Sequence, residues 1–179
     1  MDPSADLARR LARLEAREQI DELMQRYAAA ADRKYTALRQ KQSADIVRAA
    51  AREQAECFTA DARWAGGRFG GDLVGRQAIA AFFETSPWLF TAHHYGHPIM
   101  RIDASGRSAA VRWRLLELGI REQDGKVALL TGVVDQDCAA DDEGWRIARM
   151  QFASLHALEL AGRPEQLRCL IPEGEPFDL

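Results

Sequence analysis

Apolar residues fall at helical spacing along the first part of the chain. Leu7, Leu11 and Leu14 begin a stripe, and Ala16, Ile20, Leu23, Tyr27 and Ala31 continue it with a shifted phase. The spacing predicts one long helix from about residue 4 to about residue 32. A second helix is expected over residues 43–58, where Ile46, Val47, Ala50, Ala51, Gln54, Ala55 and Phe58 share a face. Asp61-Ala62-Arg63-Trp64 reads as a short strand. Gly66-Gly67 and Gly70-Gly71 flank Arg68-Phe69 and predict a tight turn or bulged hairpin. A third amphipathic helix over residues 76–85 would bury Ile79, Phe82 and Phe83.

Further along, the apolar period drops towards two. Strands are expected over residues 92–103, 108–122, 126–138 and 145–156, the middle pair joined by Asp124-Gly125, a favoured hairpin dipeptide. The tail from Gly162 carries Pro164, Pro172 and Pro176 and reads as an extended arm. Three helices followed by a meander make an α+β pattern. The expected architecture is a cone-shaped α+β barrel, with N-terminal helices packed on a strongly curved antiparallel sheet around a cavity suited to a small molecule. The 179 residues make one domain, with an N-terminal helical extension over about 1–18 and a C-terminal arm over about 160–179.

A net charge of -3 gives no electrostatic footprint for nucleic acid. No apolar run is long enough to cross a bilayer, and residues 1–13 lack an apolar signal core, so the cytoplasm is the default compartment. Cys57, Cys138 and Cys169 are odd in number and scattered, which predicts reduced, packed thiols and no metal site.

Three of the four histidines lie in His93-His94-Tyr95-Gly96-His97-Pro98. Strand alternation places His94 with Gly96, Pro98, Met100 and Ile102, and puts His93, Tyr95, His97 and Arg101 on the opposite face. His94 is thereby in line with apolar residues, where a buried ring needs a partner, while His93 and His97 read as outward or structural. Asp32 closes the first helix, where the macrodipole disfavours a carboxylate. An Asp–imidazole pair fixes the ring tautomer and stabilises the imidazolium, so Asp32 is the expected partner of His94 as general base.

Glu117 shares a face with Val111, Trp113 and Leu115. If that face is inward, burial raises its pKa and favours a neutral acid. Tyr27 could offer its hydroxyl to a substrate oxygen. Trp64, Phe83, Trp113, Arg149 and Gln151 are candidate substrate contacts. The inward face of the last strand stays open, because Trp145, Ile147, Met150 and Phe152 load both faces. No nucleophile elbow or phosphate-cradling loop is present.

At Tyr27…Asp32, Asp61-Ala62-Arg63-Trp64 and His94-Tyr95-Gly96-His97 the chain resembles the SnoaL-like family of the nuclear-transport-factor-two-like superfamily. The resemblance spans roughly residues 20–156 and extends to hexachlorocyclohexane dehydrochlorinase, bile-acid 7-alpha-dehydratase and scytalone dehydratase. It implies an Asp32–His94 dyad, with Tyr27 and Glu117 at positions matching the bile-acid enzyme, no cofactor, and a homo-oligomer, a trimer favoured over a dimer. The expected activity is a cofactor-independent lyase of the dehydratase type acting on a small, largely apolar ring compound such as a steroid, polyketide or aromatic. The alternatives are an isomerase of the ketosteroid type and a non-catalytic subunit like the small subunit of ring-hydroxylating dioxygenases.

Overall fold

The computed structural model describes residues 3–161. The proposed C-terminal arm, with Cys169, lies outside them apart from its first two residues. Helix α1 covers Pro3–Asp32, α2 Ala44–Glu56 and α3 Arg76–Glu84. The strands are β1 (Phe58–Ala65), β2 (Asp72–Val74), β3 (Trp88–Ile102), β4 (Ser108–Arg121), β5 (Val127–Asp141) and β6 (Gly144–Glu159). No described helix is long and apolar enough to cross a membrane.

The stripe on α1 decides its packing. Ala16, Ile20, Leu23, Met24, Tyr27, Ala30 and Ala31 are buried, whereas Leu7, Leu11 and Leu14 are 66%, 53% and 64% exposed. The first turns therefore stand clear of the core. Helix α2 starts at Ser43, whose hydroxyl accepts from the Ile46 amide and satisfies one orphan donor. Ala50, Ala51 and Ala55 give α2 a flat buried face. The chain then leaves the helix early, and Phe58 opens β1 in the core.

The class is α+β as expected, but the sheet is mixed and open rather than an antiparallel barrel. Its order is β2-β1-β6-β5-β4-β3. The last four strands form an antiparallel meander, which returns β6 alongside β1 in the same direction. One concave face packs on the helices and encloses the core, with Trp113, Phe58, Ile20 and Ile147 among its largest buried side chains.

Two strands change phase along their length. In β3, Gly96 pairs with Arg114 while Ile99 pairs with Arg112, so β3 carries one extra residue there. His97 absorbs the irregularity with φ 50, in the left-handed region. In β6, register shifts fall opposite Asp137/Cys138 and Val133/Val134, again one extra residue each. A single extra residue swaps inward and outward positions beyond it. Trp145 and Ile147, then Met150 and Phe152, then Leu155 thus all reach the core side of β6. This resolves the ambiguity of a strand with large apolar groups on both apparent faces.

Gly132 sits beside the second β6 shift. A Cβ there would lie 2.4 Å from the Ser154 carbonyl oxygen, a backbone atom that cannot swing aside. Gly132→Ala is expected to cost about 2 kcal/mol, the scale of overpacking a core. Thermal melting should show a midpoint roughly 4–8 °C lower. An unchanged midpoint would mean that the bulge yields freely.

Candidate functional site

Asp32 is the last residue of α1, and its carboxylate is held from β3. The Thr91 hydroxyl donates to Oδ1 at 2.8 Å and the His93 backbone N–H donates to Oδ2 at 2.8 Å. The His93 ring meets Oδ1 through Nδ1 at 2.6 Å. These three donors offset the unfavourable helix end. They also fix the tautomer: Nδ1 carries the proton that Asp32 accepts, so Nε2 of the neutral ring keeps its lone pair.

The imidazole in this dyad is His93. His94 points to the other face of β3 and is exposed, lining a surface groove along α1 with Asp21, Gln25 and Ala28, a groove that Asp32 and His93 also reach. The expectation of an Asp32–His94 pair is therefore corrected. Its cause is the extra residue at Gly96–Ile99: Met100 and Ile102 face the core, but the parity carried back from them fails across the bulge. Before it, Thr91, His93 and Tyr95 face inward. Glycine and proline inside a strand mark such irregularities, and Gly96 and Pro98 are that signal.

Glu117 stands opposite His93 in the β3–β4 ladder. It is buried, and its Oε2 lies 3.5 Å from His93 Nε2. Burial pushes its carboxyl above the ordinary range and Asp32 adds to this, while His93 and Lys34 restrain it. For His93, burial pulls the ring down most, but Glu117 and Asp32 together outweigh it, and its pKa lies above the ordinary imidazole value. The two groups compete for protons and titrate as a pair.

A narrow cavity of about 50 Å³, open to solvent at its mouth, runs up to this pair. Trp64, Phe69, Phe82, Phe83, Trp88 and Phe152 form its apolar wall. Tyr27 and Tyr95 reach it as well, their rings edge-on with centroids 6.1 Å apart, and Tyr95 stacks on His93 at 6.2 Å. Burial raises the pKa of both phenols, so they remain protonated donors. The Trp64 indole N–H is buried and has no hydrogen-bond partner among the described residues.

Of the candidates that the sequence puts forward, Tyr27, Asp32, Glu117, Trp64 and Phe83 converge here. Trp113 does not line this cavity; it is buried behind it, donating to Gln136 Oε1 at 2.9 Å. Arg149 and Gln151 are likewise corrected. They lie on the outer face of β6, where Arg149 hydrogen-bonds Gln151 and faces Asp137, because the inward positions are taken by Met150 and Phe152. Cys57 and Cys138 are buried, and burial raises their thiols to about 11 and about 12.

The residue that sequence pattern misses most clearly is Lys34. Asp32-Arg33-Lys34 reads as a solvated turn, yet Lys34 is only 4% exposed and lines the cavity. Its Nζ donates to Gln54 Oε1 at 3.0 Å and to the Phe83 carbonyl at 3.3 Å. Residues 33–42 are tied down by Tyr35 to Ser86 at 2.8 Å and by Lys41 to Glu122 at 2.6 Å, which folds this segment over the cavity.

Burial lowers the Lys34 ammonium from its ordinary 10.5 to about 8, despite the pull of Asp32 and Glu117. The drop corresponds to about 3 kcal/mol. Since the folded pKa is depressed, this stability is fully present above 10.5 and is lost as pH falls through about 8. Lys34→Met should therefore gain most on the wild type near neutral pH, and the stability gap should narrow by about 3 kcal/mol between pH 8 and 10.5. Denaturant melts across that window check this; a gap independent of pH refutes it.

Helices packed on one face of an open mixed sheet, beside a cavity lined by a titratable cluster, are the architecture of the nuclear-transport-factor-two-like class. The chain belongs to the SnoaL-like domain family, whose pattern matches residues 12–151. Comparison with curated proteins gives no significant match. Among solved structures, hexachlorocyclohexane dehydrochlorinase of Novosphingobium barchaimii superposes with a TM-score of 0.68 at 17% identity, covering 90% of this chain and 99% of its own. A candidate scytalone dehydratase of Novosphingobium aromaticivorans gives 0.66 at 16%, covering 85% and 93%. An NTF2-like protein with a cystatin-like fold from the same organism gives 0.63 at 25%, covering 85% and 90%.

Proposed function

We propose that the protein is a lyase of the dehydratase type in which His93, oriented by Asp32, takes a proton from carbon next to a carbonyl. The observation that carries this reading is the Asp32–His93 pair at the end of an apolar cavity, with buried Glu117 3.5 Å from the free ring nitrogen. In the reactive form His93 is neutral and Glu117 is protonated. His93 Nε2 accepts the carbon-bound proton, and the C–H electron pair becomes the new C=C bond. The bond to the β-hydroxyl breaks as that oxygen takes the Glu117 proton and leaves as water. His93 then returns its proton to the Glu117 carboxylate, which restores both groups.

Positioned proton transfer contributes roughly 10²–10⁴ in rate. The tyrosines hold substrate oxygens, and the aromatic wall limits water. A dehydrochlorinase and a candidate dehydratase sharing the fold support elimination as the reaction class. The steps draw on side chains alone. We further propose a homo-oligomer, a trimer favoured, in the cytoplasm; the exposed Leu7, Leu11 and Leu14 stripe supports self-association, which light scattering measures.

The test is incubation with cyclic β-hydroxyketones in heavy water, read by mass spectrometry and proton NMR. Loss of one water with deuterium entering the α-position is the expected result. Exchange without water loss would mean an isomerase. Binding with neither would leave a ligand-binding module.

A further inference from the structure

We infer that Lys34 anchors one electron-rich oxygen of the ligand, so that the cavity selects ring compounds bearing a carbonyl, enolate or phenolate oxygen. The inference deepens the lyase reading and names the substrate feature it acts on. It stands on how the ammonium is placed. Lysine in a core ordinarily extends its head to water or pairs with a carboxylate. Lys34 does neither: it is almost fully buried, and among the described residues no carboxylate lies within 4.0 Å of it.

An ammonium has three N–H donors. Gln54 Oε1 and the Phe83 carbonyl take two of them, and the Phe83 ring lies beneath Nζ with its centroid at 5.5 Å. The remaining N–H has no acceptor among the described residues. The same residue lines the cavity that holds His93, Glu117, Tyr27 and Tyr95.

A charge fixed by two neutral acceptors and lacking a counter-ion is arranged to receive negative charge from something else. When His93 removes a proton next to a carbonyl, negative charge moves onto the carbonyl oxygen. A fixed ammonium in an apolar wall stabilises that oxyanion more than the starting ketone. With Asp32 ionised, Lys34 charged, His93 neutral and Glu117 protonated, the four groups sum to zero. A neutral ketone enters without upsetting this balance, and the charge it develops falls to Lys34.

Dinitrophenolate is a stable mimic of the enolate, and dinitroanisole is its uncharged counterpart. Both are titrated at neutral pH into wild type, Lys34→Met and Lys34→Gln, with binding read by tryptophan fluorescence and folding by circular dichroism. Wild type should bind the phenolate at least about tenfold more tightly than the ether, the scale of one charge-assisted hydrogen bond. Either folded variant should lose that preference. Equal binding of the two probes by wild type overturns the inference even if neither variant folds, as does a preference retained in a folded variant. Phenolate preference together with no elimination or exchange of any ketone would sink the lyase reading and leave the anchor standing; turnover without the preference does the reverse.

Discussion

His93→Ala is expected to lower turnover by roughly 10²–10⁴, while His94→Ala changes it by no more than about twofold. The two residues are neighbours in the chain and differ in burial and in partners. His93 contacts Asp32 through Nδ1 and faces Glu117 through Nε2. His94 is exposed on the far side of the strand. Alanine at 93 also removes one of three donors from Asp32, at a cost of about 1–3 kcal/mol. His93→Gln keeps an amide donor and serves as the folding control. Asp32→Asn tests the other half: the amide oxygen still accepts, but the negative charge that favours the imidazolium is gone, so a large loss is expected there too. Rates on the first substrate that shows water loss, or α-exchange in heavy water, decide the matter. Equal effects at 93 and 94 would remove the dyad from the mechanism.

The contrast between these histidines shows where sequence patterning holds. Helices α1, α2 and α3 follow from the 3.6-residue stripe, because each buries one face against a neighbour. The β4 alternation is unbroken from Ala109 to Glu117, so the inward position of Glu117 follows once Trp113 is taken as core. In β3 and β6 the alternation is interrupted by extra residues, and local pattern cannot carry parity across an unseen bulge. That one cause puts His94 on the wrong face and leaves the face of Arg149 undecided when only the sequence is read. Lys34 is a different case. Its burial comes from tertiary docking of residues 33–42 on Ser86 and Glu122, and its immediate neighbours Asp32 and Arg33 give no sign of it. Arg33 itself does turn outward to pair with Glu53. The parallel pairing of β1 with β6 is equally non-local.

Glu117→Gln should reduce turnover about a hundredfold or more and change the shape of the pH profile. In the wild type only the singly protonated His93–Glu117 pair can act, with the proton on Glu117. Acid adds a proton to His93 and blocks the base; alkali strips Glu117 and removes the acid. The profile of kcat/KM is therefore a bell whose limbs belong to the pair. Glutamine keeps the shape of the side chain but has no proton to give. The alkaline limb attributable to residue 117 should vanish. On the acidic limb Glu117 is already protonated and neutral, as glutamine is, so that limb should stay in place or move slightly to higher pH as the competing imidazolium–carboxylate form is lost. Loss of the alkaline limb distinguishes proton donation from packing, since a packing role would lower the rate and leave both limbs in place. A bell unchanged in position would assign Glu117 to the structure of the cavity floor and return the departing hydroxyl to Tyr27 or Tyr95.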